Sequence, residues 1–324
     1  MDLRWANGNW EKQKQHIRSF VNAFRLEGFP RGDPAFRAGL IHVGDNRWSL
    51  LLLSSHYLLD GAGVQRVADD LLSQDMLITD AEEVSRYYSG WARLSSAPET
   101  KAYWRNLLSG QDGYTKLPIL KGDGSGEGVK TGEISFPREP VSAYCRKHRV
   151  SSSAVIHAAM GMTLISLTGQ DRVCFATATD GRSDSLTRDK RLTGMFANDL
   201  PFLYQKGDTP KDCMRQLLSG REYGMIDAAS FGARYGGLGT SPWTVHLSIN
   251  SFQLARGTMP DNALLDDLLK DSQYEEIKRL EVYFVLGDAI YLHDTYAEKC
   301  ICSQAVHQFE KCFLENLTCI TSEP

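Results

Sequence analysis

The sequence predicts a mixed α/β protein of the α+β sandwich type, with helices layered on sheets. Three observations lead there. The most apolar run, Trp48-Ser49-Leu50-Leu51-Leu52-Leu53, is short, continuous and bounded by polar residues, the pattern of a buried strand. Val64, Val67, Ala68, Leu71 and Leu72 then recur at helical spacing. Further on, strand-like runs (173–179, 244–252, 280–286) alternate with helical stretches such as 154–168 and 303–317. By length, 324 residues suggest two lobes, 1–128 and 129–324. The boundary falls in residues 110–128, rich in Gly, Asp, Ser and Lys, which read as a flexible linker.

Composition narrows the function classes. Hydrophobic residues make up 42% and charged residues 23%, the balance of an ordinary globular protein. A net charge of −4 without a long basic run speaks against a nucleic-acid partner. No apolar segment reaches the length of a membrane span, and the start Met1-Asp2-Leu3-Arg4 lacks a signal-peptide core, so a cytoplasmic protein without a membrane partner is expected. Seven cysteines, an odd number without a Cys-x-x-Cys pair, agree with a reducing compartment. Cys300-Ile301-Cys302 with His307 does not have the spacing of a common zinc site, and no metal is expected.

Taken in order, residues 10–26 set Ile17, Phe20, Val21 and Phe24 on one helical face, and Gly28, Pro30 and Gly32 end that helix. Residues 35–42 alternate as a strand and join the apolar run through the turn Gly44-Asp45-Asn46, making a hairpin. Ser55-His56-Tyr57-Leu58-Leu59-Asp60-Gly61 leads from it into a helix. Residues 80–110 form two helical pieces broken near Ser95-Ser96-Ala97-Pro98, and the pair Tyr103-Trp104 reads as core packing. A strand is expected over 130–136 and a helix over 141–148. Ser151 or Ser152 caps the long apolar helix 154–168, Gly169 closes it, and His157 inside it reads as a packed or half-exposed residue. Thr209-Pro210 opens a helix running to residue 229. Residues 280–286 and 289–292 make a hairpin around Gly287-Asp288, before the last helix.

His56 therefore stands where a strand hands over to a helix, with Asp60 four residues on. Such junctions can present a side chain to a cleft on a rigid scaffold. A neutral imidazole can take a proton from an amine, hydroxyl or thiol near neutral pH. Asp60 can either orient the histidine or anchor a distant cation, and spacing alone leaves both open. It also leaves open a packed histidine beside a turn aspartate. There is no Gly-x-Ser-x-Gly elbow, no Walker loop and no dinucleotide fingerprint after a strand.

Residues 55–61 resemble the His-His-x-x-x-Asp-Gly signature of nonribosomal peptide synthetase condensation domains, within the wider chloramphenicol-acetyltransferase-like His-x-x-x-Asp acyltransferases. Further segments follow in family order. Tyr103-Trp104-Arg105-Asn106-Leu107-Leu108-Ser109-Gly110 is similar to the family's tyrosine-tryptophan helix, and Leu167-Thr168-Gly169-Gln170-Asp171 with Gly181-Arg182 to the start of its second lobe. Gly194-Met195-Phe196-Ala197-Asn198-Asp199-Leu200-Pro201 resembles its Gly-x-Phe-x-Asn-Thr-Leu segment. The resemblance covers the chain from about residue 10 onward.

The resemblance implies two chloramphenicol-acetyltransferase-like lobes in a V, with a tunnel between them. It implies acyl transfer between substrates that arrive as thioesters on the phosphopantetheine arm of an acyl or peptidyl carrier protein, or on coenzyme A, with no bound cofactor. His56 would act as the base or positioning group, with Asp60 and Gly61 completing the motif. Asp60 would pair across the lobes with Arg182. Gly61 would give close backbone approach. Ser55, Ser248, Asn250 and Asn198 would line the tunnel, Asn198 chiefly as a structural residue.

Two departures stand out. Ser55 replaces the first motif histidine, a form resembling fungal terminal condensation-like domains that release products by cyclisation. Only 55 residues precede His56, which implies an incomplete N-terminal lobe or a second chain that completes it. Besides the amide- or ester-forming acyltransferase, two alternatives stay open. One is a catalytically silent module that binds a carrier protein or recruits a partner enzyme. The other is a free-standing acyltransferase with small soluble acceptors.

Overall fold

The structure is a computed structural model that describes residues 10–29, 32, 35–44, 47–73, 81–182, 186–187, 192–226, 228–231, 243–250 and 278–322. The N-terminal part holds α1 (Trp10–Leu26), the hairpin β1 (Phe36–Gly44) and β2 (Arg47–Ser54), and α2 (Gly61–Ser73). Two helices follow, α3 (Ala81–Ser96) and α4 (Pro98–Leu107), split where Pro98 takes the first helical turn.

The rest is a six-stranded mixed sheet. Its strands are β3 (Val129–Pro137), β4 (Arg172–Thr179), β5 (Asn198–Gln205), β6 (Val245–Asn250), β7 (Leu280–Leu286) and β8 (Ala289–Ala297), in the order β3-β8-β7-β6-β4-β5. Strand β6 runs parallel to both β4 and β7, and the other neighbours are antiparallel. Helices α5 (Arg138–His148), α6 (Ser152–Thr168), α7 (Pro210–Tyr223) and α8 (Ser303–Thr321) complete the fold.

The core lies between the sheet and helices α6 and α8. Val155, Ile156 and Met160 of α6, with Phe309 and Phe313 of α8, meet Phe175, Leu247 and Phe284 of the sheet, all buried. Each such side chain contributes about 1.5–3 kcal/mol by leaving water. Helix α6 is apolar all round because it is buried all round. Ser151 caps it by accepting from the Ala154 amide, and Gly169 ends it in the left-handed region at φ 68°. Strand alternation then sends Ala176, His246, Ser248 and Glu281 to the opposite face of the sheet. His157 is fully enclosed, donating from Nδ1 to Ser153 O at 2.7 Å and accepting at Nε2 from the Thr177 hydroxyl at 2.9 Å.

Three expectations need correction. Strand β2 is not buried: Trp48 is 55% and Leu50 43% exposed, because β2 pairs only with β1 among the described residues. Residues 110–128 are not a flexible linker. Leu117 and Leu120 are buried in the main core, and backbone bonds run from Thr115 N to Cys174 O, Leu117 N to Trp243 O and Gly122 N to Cys300 O. The helix begun at Thr209-Pro210 ends at Tyr223 and not near residue 229. The Gly224 and Ile226 carbonyls beyond it bond the Asn198 side chain instead of continuing the helix.

Among the described residues no single helix is long and apolar enough to cross a membrane. Helices α5 and α6 reach that length only as a pair bent by 106°.

Candidate functional site

The site begins with a turn. Ser55 ties the end of β2 to the neighbouring strand by donating its amide to Ala35 O at 2.9 Å, and its carbonyl accepts from Leu58 N at 2.9 Å. Its hydroxyl accepts from Tyr57 N at 3.3 Å. Ser55 is thus half-buried and shapes the turn that lifts His56 and Tyr57 into the open, Tyr57 at 97% exposure. Leu59 and Asp60 turn back into the protein.

Asp60 is the anchor. It caps α2 by accepting the Gly63 amide on Oδ1 at 2.7 Å. Both oxygens also receive Arg182, Nη1 to Oδ2 and Nη2 to Oδ1, each at 2.9 Å. Oδ2 further accepts the Phe196 and Ala197 amides at 2.9 and 3.0 Å. The carboxylate therefore has no lone pair to offer His56, and the orienting alternative for Asp60 gives way to the anchoring one. Asp60 and Arg182 are 2% and 3% exposed, so the pair survives burial only because the surrounding bonds complete it.

Arg182 is fixed in turn. Its Nε donates to Leu192 O at 3.0 Å, Nη1 also donates to Asp180 O at 3.1 Å, and the guanidinium lies 4.9 Å from the Phe196 ring centroid. Gly181 beside it has φ +64°, and a Cβ there would sit 1.7 Å from Phe196 O, so the two loops meet backbone to backbone. Helix α3 clasps both: the Tyr87 hydroxyl donates to Gly181 O and the Tyr88 hydroxyl to Met195 O, each at 2.8 Å. Burial pushes the Tyr87 hydroxyl well above the usual tyrosine range, so it stays a donor.

Gly61 opens α2 and is exposed. Two residues on, Gly63 is closely packed, and a Cβ there would lie 3.1 Å from Gly194 O. Asn198 gives both amide hydrogens to backbone carbonyls, Gly224 at 3.0 Å and Ile226 at 2.9 Å, and acts as a clamp. Ser248 lies on β6 opposite Tyr283, and Asn250 ends the same strand with its side chain outside the described residues. Trp104 is buried and donates to Tyr223 O at 2.8 Å, so the Tyr103-Trp104 helix packs on the end of α7. A cleft of about 490 Å³ opens beside Tyr57 and Leu58, walled by Phe36, Tyr88, Met195 and Phe196.

A second group was missed by reading the sequence. On the sheet face opposite the helices, His246 lies between two carboxylates: Nε2 is 2.9 Å from Asp199 Oδ1 and Nδ1 is 2.6 Å from Glu281 Oε2. Arg279 closes the row on Glu281. Burial alone would lower the His246 basicity, but hydrogen bonds and charge from Asp199 and Glu281 raise it to about 9, so both ring nitrogens donate. Burial likewise raises Asp199, and the bond to His246 with the charges of His246, Arg279 and His56 outweighs it and holds the carboxyl below its ordinary range. Small Ala176 and Ala178 on β4 let His246 and Asp199 meet across the sheet. Two signals pointed here: a histidine between buried Val245 and Leu247, and an aspartate where the resembling segment has threonine.

Comparisons with known proteins bear on the family and the fold. Bacitracin synthase 3 of Bacillus licheniformis is 27% identical over 232 residues, which is 65% of this chain and 4% of that protein. The chain thus spans a small fraction of the curated relatives it matches. Among solved structures, the epimerization domain from the third module of tyrocidine synthetase B superposes with TM-score 0.71 at 13% identity, covering 99% of this chain and 78% of that one. The first condensation domain of the calcium-dependent antibiotic synthetase gives 0.68 at 15% identity, covering 100% and 77%. The fold is the chloramphenicol-acetyltransferase-like fold of these domains. With the family model named Condensation domain matching residues 3–219, the chain belongs to the condensation domain family.

Proposed function

We propose that the chain is a condensation-type acyltransferase that forms an amide or ester between a thioester-bound acyl donor and an amine or hydroxyl acceptor. The observation that carries this reading is the rigid presentation of His56. An exposed imidazole stands on a turn whose base is locked by the Asp60–Arg182 pair. His56 takes the proton of the acceptor as its nitrogen or oxygen bonds to the thioester carbonyl. The C–S bond then breaks, and the sulfur leaves with that proton as a thiol. Bringing two tethered substrates together supplies much of the rate. The donor arrives on the phosphopantetheine arm of a carrier protein, the expected partner, or on coenzyme A. The apolar cleft beside Tyr57 and Leu58 suits an apolar portion of the substrate. A further strand or a second chain covers the β1–β2 hairpin, whose Leu40, Trp48 and Leu50 are exposed.

The test is acyl transfer from a loaded carrier protein, wild type against His56→Ala. Loss of about 10²-fold or more with carrier binding intact is expected. Equal transfer by both proteins overturns the assignment of His56. A second reading is a catalytically silent module that binds a carrier protein, favoured by Ser55 at the first motif position. It predicts carrier binding with no transfer by either protein.

A further inference from the structure

Where α5 hands over to α6, the chain carries charge that the fold does not use. Residues 138–149 hold Arg138, Arg146, Lys147 and Arg149 against Glu139, a net charge of +3 in a chain whose total is −4. These five residues are exposed, as is His148, which stacks on Tyr144 with ring centroids 4.1 Å apart. Arg146 pairs with Glu139 at 2.7 Å, while Lys147 and Arg149 form no ion pair among the described residues. A helix C-terminus favours cations, which accounts for a basic last turn. It does not account for Arg149. That residue closes α5 in the left-handed region, at φ 56° and ψ 47°, where a side chain is strained and glycine is not. Helix α6 ends in the same region on Gly169. An arginine kept where glycine fits better points to a use for its side chain.

The corner also stands at a defined end of the sheet. Strand β3 runs directly into α5, and Arg138 donates to Gly287 O between β7 and β8. Helix α6 starts at that end too: His157 bridges Ser153 O to Thr177 on β4, two residues before Thr179 pairs with Asn198. Beyond Thr179 the chain reaches Arg182, so the basic corner and the Asp60–Arg182 anchor share one end of the sheet. We propose that this corner, Lys147 and Arg149 with the flanking Arg138 and Arg146, is the docking surface for a carrier protein. It recognises the phosphodiester at the root of the phosphopantetheine arm and the acidic side chains around it. The phosphodiester is an anion that every such carrier must present, and a cationic surface at the site's end of the sheet complements it. The inference rests on a carrier protein being the partner, which both readings of the function share.

The test measures binding of a labelled carrier protein to the full chain, with the carrier in its phosphopantetheinylated and its unmodified form, beside coenzyme A and vesicles of anionic lipid. Wild type should bind the phosphopantetheinylated carrier more tightly than the unmodified one, with an affinity that falls as salt rises. The double variant Lys147→Glu, Arg149→Glu should lose about tenfold in carrier affinity at low salt and most of the salt dependence, with coenzyme A unaffected. Arg149→Gly should weaken carrier binding in the same direction with a Tm no lower than wild type, because glycine relieves the left-handed backbone. Carrier affinity equal in wild type and in the folded variants overturns the docking surface, as does a wild type that binds no carrier. An equal loss for coenzyme A overturns it in favour of a phosphate site for small thioesters, and vesicle binding without carrier binding overturns it in favour of a lipid surface. Docking needs no turnover, so loss of acyl transfer with carrier binding intact sinks only the chemistry assigned to His56.

Discussion

The Asp60 carboxylate and the Arg182 guanidinium, 122 residues apart in the chain, meet in a bidentate pair with both contacts at 2.9 Å. This pair joins the motif turn to the loop after β4, and through the Phe196 and Ala197 amides it also fixes the approach to β5. Its physical value is geometric. Desolvating two charges offsets most of their attraction, so the pair stabilises little against an apolar substitute, but it cannot be half removed.

Asp60→Asn and Arg182→Ala should each destabilise the protein by about 3–5 kcal/mol, since each leaves an uncompensated buried partner. The double variant should cost clearly less than the sum of the two. Urea unfolding of all four proteins measures this. Additive costs would show that the pair does not act as a unit.

His157 predicts an acid limb in stability. Burial drives its basicity down to about 4, against about 6.5 in an unfolded chain. Between these values the unfolded state binds the extra proton, so stability is fully present above pH 6.5 and falls as pH drops toward 4. The loss is about 3 kcal/mol in all. Because the raised Asp294 carboxyl contributes the opposite slope over this range, the readout is the stability difference between wild type and His157→Gln, which should shrink from pH 7 to pH 4.

An alkaline limb should come from two other groups. His246 is raised to about 9, and Asp294 is raised to about 8 by burial first and then by the neighbouring Glu310 carboxyl. Both hold a proton more tightly folded than unfolded. Their contributions are complete below the unfolded values and are lost as pH rises through about 8 and about 9. Asp294→Asn should remove the lower step and His246→Gln the upper one. The Asp294 contribution is lost from about pH 3.8 to about 8 and the His246 contribution from about 6.5 to about 9, so a wild-type profile in which neither variant changes the slope between pH 4 and pH 9 would contradict both.

Residues 110–128 offer a test of the corrected linker. With Leu117 and Leu120 buried, limited proteolysis should spare residues 115–122 in the folded protein. Leu120→Ala should cost about 2–5 kcal/mol. Rapid cleavage within that stretch of the native protein would restore the flexible reading.

Much of the site was legible because its parts sit in short local patterns. His56 and Asp60 stand four residues apart at a strand-to-helix handover, and Gly181-Arg182 and residues 194–201 match family segments. Asp199, His246 and Glu281 were not legible. They are separated by 47 and 35 residues and meet only through strand register, with His246 beside Glu281 and across Ala176 from β5. A slip of one residue in any of those strands would turn its side chain to the other face.

By itself the sequence determined the local elements. Apolar spacing set α1 and α2, a continuous apolar run between Ser151 and Gly169 set α6, and Thr209 with Asp212 set the start of α7 through a capping box. Such signals act within a few residues and need no partner. Only the tertiary structure decided which apolar runs are covered. Leu50 in the most apolar run remains exposed, while Leu117 and Leu120 in the most polar-looking stretch are buried. Burial depends on what the rest of the chain brings alongside, and composition counts side chains without knowing their neighbours.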